Sequence, residues 1–89
     1  MARHYLKTWP IYFQLVLDGI KRVEVRKDDR HFEVGDVLCL KEFRPDTTCV
    51  AHPNGVLTGR HIDVKVDYVL RDYPAIQKGF VVMSITLVK

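Results

Sequence analysis

Lys21, Glu24 and Arg26 are the residues of this chain whose types and spacing are best suited to binding chemistry. They belong to the stretch GIKRVEVRKDDRHFEVGD, residues 19–36, in which eight of the ten positions from Lys21 to Arg30 carry charge. Glu24 and Arg26 lie two apart and so share one face of an extended strand. Lys21, at the junction that precedes the strand, reaches the same place. A carboxylate held between Lys and Arg orients their donors and leaves N–H groups free for a phosphate or a base edge. Charge pattern alone supports a blander reading as well, because alternating signs on a strand are commonly solvated ion pairs worth little each.

Other reactive side chains form weaker patterns. Cys49, His52 and His61 lack the paired CxxC and HxxxH spacing of closed zinc sites, so no metal is expected. Cys39 and Cys49 are ten apart, which makes neither a redox motif nor a disulfide framework. His4 reads as a structural histidine hydrogen-bonded to backbone or to Glu42. Trp9 sits at a first helical turn, where it can serve both core and binding surface. Arg60 is placed to extend a basic rim or to be a solvated turn residue.

The elements that must position these groups follow from periodicity. HYLK forms a short strand. Thr8 suits an N-cap, Pro10 a first turn and Gly19 the position past a helix end, with Trp9, Phe13, Val16, Leu17 and Ile20 on one face. Val23 and Val25 alternate with Arg22, Glu24 and Arg26, predicting a strand with a buried valine face and a polar outer face that lines a groove beside the helix. Phe32 and Val34 are expected to be buried before a turn at Gly35-Asp36. VLCLKEF is a largely buried strand. Residues 44–60 form a long excursion with a tight turn at Asn54-Gly55. HIDVKVDYVL places Ile62, Val64, Val66, Tyr68 and Leu70 on one side, and FVVMSITLVK ends the chain with Val81, Met83, Ile85 and Leu87 facing the core. One helix and four or five strands predict an α+β fold, a curled antiparallel sheet closing into a barrel.

Composition sets the outer bounds. With 89 residues, 47% of them apolar, the chain is a single domain over residues 1–89 with one modest core. No apolar run approaches the ~20 residues that cross a bilayer, so no membrane partner is expected. The segment MARHYLKTWP lacks the pattern of a secretory signal, which points to a cytoplasmic protein with reduced thiols. A net charge of +3 permits contact with nucleic acid without demanding it.

The same residues carry a family resemblance. GIKRVEVR, with Gly19, Lys21, Glu24 and Arg26, resembles the G-x-K-x-x-E-x-R signature of ASCH domains, relatives of the PUA fold. With HYLKTWPIYFQLVLDG before it and KDDRHFEVGDVLCLKEF after it, the chain is most similar to the short ASCH-like family DUF3850. That resemblance extends through TGR and GFVVMSI, nearly the whole chain. It implies a small PUA-like β-barrel with one N-terminal α-helix, and a helix–barrel cleft that binds RNA or a nucleotide-like ligand, with no cofactor. The implied cleft residues are Lys21, Glu24 and Arg26, Asp29 and Arg30 from the following loop, and Lys7 and Trp9 at the rim. Lys21 and Arg26 would hold a phosphate or base acceptor, and Glu24 would accept from a base donor or fix Arg26. Trp9 would stack on a base.

Some ASCH proteins are amidohydrolases that release the acetyl group of N4-acetylcytidine, using a Lys and a Thr of this motif and a later Glu. Here Lys21 matches the Lys, Glu24 stands where the Thr would be, and RDYPAIQKG replaces the segment that would bring the acid. Binding therefore ranks ahead of hydrolysis, for which Lys21 and Glu24 would be the catalytic candidates. A protein-interaction module, docking through the apolar tip CVAHPNGVL, is the third class.

Overall fold

A computed structural model describes residues 1–45 and 55–88. The elements are β1 (Arg3–Thr8), α1 (Pro10–Leu17), β2 (Val23–Lys27), β3 (Val37–Arg44), β4 (Val56–Leu70) and β5 (Phe80–Leu87). All five strands join one curled, half-barrel sheet in the order β1-β3-β4-β5-β2. Cys49, His52, Asn54 and most of the apolar tip lie outside the described residues. Among the described residues no helix is long and apolar enough to cross a membrane.

The helix begins where proline dictates. Trp9 precedes Pro10 and is extended, at φ −63° and ψ 148°, the conformation a residue before proline favours. Pro10 then occupies the first turn, where its missing N–H costs nothing. The expected cap at Thr8 is corrected: Thr8 is the buried last residue of β1, and Trp9 takes the cap position without a side-chain bond. The helix closes at the cap residue Asp18, and Gly19 follows with a φ of +76° that suits glycine. There the amides of Ile20 and Lys21 both donate to the Leu15 carbonyl at 3.0 Å. That closure hands the chain directly to the charged strand and fixes where Lys21 stands.

Phe13 and Val16 pin α1 to the sheet, while Trp9, Leu17 and Ile20 are exposed. The core beneath is filled by Leu38 and Leu40 of β3, Val64 and Val66 of β4, and Val81 and Met83 of β5, all fully buried. Each such burial contributes about 1.5–3 kcal/mol. Phe32 joins this core as expected, but Val34 is exposed.

Three features depart from the periodicity. First, β1 runs parallel to β3, while the other pairings are antiparallel. Residues 9–36, carrying the helix and β2, are long enough to return the chain to the same end of the sheet, as a parallel connection requires. Second, a register shift between Val66 and Tyr68 sends Tyr68 to the exterior and brings Val69 against the core. An extra residue in one strand reverses every later side chain. Third, β2 is inverted: Glu24 is 2% exposed, whereas Val23 and Val25 are 46% and 59% exposed. The expected valine face looks outward and the charged face inward.

The sheet's two edges, β1 and β2, are joined by side chains instead of a backbone ladder. Arg26 donates through Nη1 to the Lys7 carbonyl at 3.0 Å and through Nη2 to Thr8 Oγ1 at 3.1 Å. Arg30 donates to the Tyr5 carbonyl at 3.1 Å. Carbonyls two residues apart face the same edge, so the two arginines satisfy acceptors that an unpaired strand would leave bare.

Candidate functional site

The inverted strand creates the site. Where β1 passes into α1, a cleft of about 550 Å³ opens between Lys7 and Thr8 of β1, Trp9 and Tyr12 at the helix start, Lys21 at the joint, and the Val23–Arg26 edge of β2. Glu24 lies at its floor. One carboxylate oxygen accepts from Lys21 Nζ at 2.7 Å and the other from Arg26 Nε at 2.8 Å. Both oxygens of a buried acid are thus matched to cations, which offsets the cost of burying its charge.

The donors outnumber their acceptors. Lys21 also donates to the Val23 carbonyl at 2.5 Å, so one of its three N–H bonds is left over. Arg26 commits three of its five to Glu24, Lys7 and Thr8, leaving two. With Lys7 at the rim, three cations face one carboxylate, and the cleft carries a formal +2. Its wall is aromatic: the rings of Trp9 and Tyr12 lie 6.3 Å apart at 22°, and Lys21 Nζ is 5.9 Å from the Tyr12 ring centre. A flat, apolar wall beside unspent cationic donors accommodates a planar ring bearing an anion or a carbonyl acceptor.

Of the sequence-derived residues, Lys7, Trp9, Lys21, Glu24 and Arg26 converge here. Asp29 and Arg30 do not line the cleft. Arg30 is occupied with the Tyr5 carbonyl and stands 3.9 Å from Asp29, whose side chain is largely exposed. Thr8 and Tyr12 were not anticipated. Tyr12 lies one turn beyond Trp9, a spacing that puts both on one side of the helix and is readable in advance. Thr8 is hidden by its resemblance to a cap residue.

The histidine and the late arginine also find partners. His4 Nε2 donates to Asp36 Oδ2 at 2.9 Å, with its ring 4.7 Å from that of Phe32. The expected acceptor, Glu42, instead accepts from Thr58 Oγ1 at 2.7 Å. Arg60 is not part of the basic rim: its guanidinium lies 4.9 Å from the Phe13 ring and 3.8 Å from Glu42, bracing α1 against β4. Among the described residues no cluster of three or more His, Cys, Asp or Glu could hold a metal ion.

Comparison with known proteins finds a family and a phage relative. The model of one family, described as a domain of unknown function (DUF3850), matches residues 3–85. The chain belongs to the DUF3850 family. It is also 41% identical over 63 residues to a protein of Escherichia phage P2, described as an uncharacterized 12.9 kDa protein in the GpA 3' region. That alignment covers 71% of this chain and 50% of the phage protein, so this DUF3850 chain spans about half the length of its relative.

Proposed function

We propose that this DUF3850 chain is an ASCH-type domain of PUA-like architecture whose cleft binds RNA or a nucleotide-like ligand. The observation that carries the reading is the convergence of Lys21, Glu24 and Arg26 on one recess beside the Trp9–Tyr12 wall. Glu24 has both oxygens occupied, so its role is to aim the two cations. The leftover N–H groups of Lys21 and Arg26 receive a phosphate or a base carbonyl, and Trp9 with Tyr12 stacks on the base. Lys7 supplies charge at the rim. Arg30 acts indirectly, by holding the loop after β2 against β1 through the Tyr5 carbonyl, and Asp29 takes no part in the cleft. The hydrolytic alternative draws less support, because Lys21 and Glu24 are committed to each other.

An amide-shift titration of labelled protein with uridine 5′-monophosphate, uridine and short single-stranded RNA tests this. Shifts concentrated at residues 7–12 and 21–26 are expected, weakening as salt is raised. Trp9→Ala should weaken binding by about 1–3 kcal/mol, the usual worth of base–aromatic stacking. Absence of shifts with all three probes overturns the reading, and release of cytidine from N4-acetylcytidine would replace it with the hydrolytic one.

A further inference from the structure

The outer face of the sheet, turned away from the core, carries charge of which only Lys7 also borders the cleft. Alternation along β1 puts Arg3, Tyr5 and Lys7 there, in register with Val37, Cys39 and Lys41 of β3. Beyond β3 the register continues to Lys65, Asp63 and His61 of β4. Arg3 Nη2 donates to both oxygens of Asp63 at 2.9 Å, and the pair is neutral. Lys7 and Lys41 have no carboxylate within ion-pair distance among the described residues. Each ammonium rests on an aromatic ring instead, Lys7 Nζ 4.8 Å from the centre of Phe43 and Lys41 Nζ 5.4 Å from that of Tyr5.

That arrangement has a specific electrostatic meaning. A cation–π contact holds an ammonium in place without cancelling its charge, so the positive potential persists. Arg3, Lys7, Lys41 and Lys65 against Asp63 and Asp67 give the face a formal +2. It ends at the β4 bulge, where Asp67 accepts from the Thr86 hydroxyl. Lys7 and Lys41 are register neighbours, on strands about 4.8 Å apart, and Lys7 also lines the cleft. The charged strip and the cleft are therefore continuous through one residue. Tyr5, half exposed beside Lys41, interleaves an aromatic surface with the cations, as surfaces that follow a nucleic-acid backbone do.

We infer that the outer face of β1, β3 and β4 is a track for the backbone of a single-stranded nucleic acid, which reaches it from the cleft past Lys7. The inference rests on the cleft reading for its starting point and extends it from one nucleotide to a polymer. Lys41 and Lys65 make the phosphate contacts that the cleft cannot.

The test compares uridine 5′-monophosphate with a single-stranded RNA of roughly eight nucleotides, within the span one small domain covers, titrated calorimetrically against the full chain between about 50 and 200 mM salt. The oligonucleotide should bind more tightly. The Lys41→Gln/Lys65→Gln double variant should lower its logarithmic salt slope by about 1.4, two contacts at about 0.7 each, and leave monophosphate affinity unchanged. Equal affinity of the two probes, or an oligonucleotide slope untouched by the double variant, overturns the track while the cleft stands. Oligonucleotide binding that depends on Lys41 and Lys65 without any monophosphate binding supports the track and removes the cleft as its start. Displacement by poly-glutamate as effective as by unlabelled RNA overturns the nucleic-acid assignment in favour of an acidic protein partner.

Discussion

Two buried carboxylates stand at opposite ends of β1 and are satisfied in different ways. At the start of the strand, Asp36 accepts from the amides of Ala2 at 2.9 Å and Glu33 at 3.0 Å and from His4 Nε2 at 2.9 Å. At its end, Glu24 accepts from Lys21 and Arg26. The Asp36 partners are two fixed backbone groups and a ring packed on Phe32, and they turn inward. The Glu24 partners are long cations that open on a cleft and keep N–H groups unspent. A buried acid whose donors are all consumed closes a fold. One whose donors exceed what it can accept holds them ready for something else.

The largest effect that would break this contrast is on stability. Asp36→Ala strands two backbone amides and the histidine in a nearly dry site, and should cost about 3 kcal/mol or more. In a domain of this size the loss lowers Tm by roughly 10–20 °C, measurable by thermal circular dichroism. A Tm within a few degrees of the parent would show that Asp36 is no more structural than Glu24. The same residue contributes to the acid limb. Burial raises its pKa, but the amide and His4 hydrogen bonds outweigh that and hold the folded value below the ordinary carboxylate range. A depressed folded pKa gives stability that is complete above the unfolded value of about 3.9 and is lost as pH falls through the folded one. Asp28, bonded to Arg71, and Asp63, bonded to Arg3, are shifted the same way. Urea midpoints should therefore drop below about pH 4, and Asp36→Asn should flatten part of that drop.

A smaller effect sharpens the other half of the comparison. Arg26 both aims at the cleft and clasps β1, so Arg26→Lys keeps the charge and removes the fork. Losing the bonds to the Lys7 carbonyl and Thr8 Oγ1 should cost about 1–2 kcal/mol of stability by urea unfolding. Nucleotide affinity should fall about tenfold with it. A variant that loses stability while binding normally would make Arg26 a seam residue alone.

Much of this molecule was readable from its residues, for reasons that differ along the chain. Pro10 and Gly19 bracket α1 because each fixes a backbone geometry by itself. β3 and β5 follow from runs of apolar residues that leave one outcome. Lys21, Glu24 and Arg26 were placed together correctly because helix end and strand start are local. The parallel course of β1 was not readable, since strand direction is settled by how residues 9–36 return across the sheet. Nor was the β4 bulge at Asp67, where clean alternation hides a skipped register. The face of β2 was inverted for a deeper reason: two valines in a strand of five argue for burial one at a time, whereas Glu24 is buried only because Lys21 and Arg26 go in with it.

That inversion yields the smallest prediction. If the valine face of β2 were the buried one, Val25→Thr would place a hydroxyl in an apolar core, and the missing hydrogen bond would cost about 1–3 kcal/mol. With Val25 59% exposed, the hydroxyl stays hydrated, and β-branched Thr suits a strand as well as Val does. The change in unfolding free energy should then stay within about 0.5 kcal/mol. Glu24→Leu provides the opposite control, because it removes a charge that two cations were arranged to meet and leaves both facing an apolar side chain. If Val25→Thr proved costly and Glu24→Leu harmless, the charged face would be the outer one, and the cleft would lose its floor.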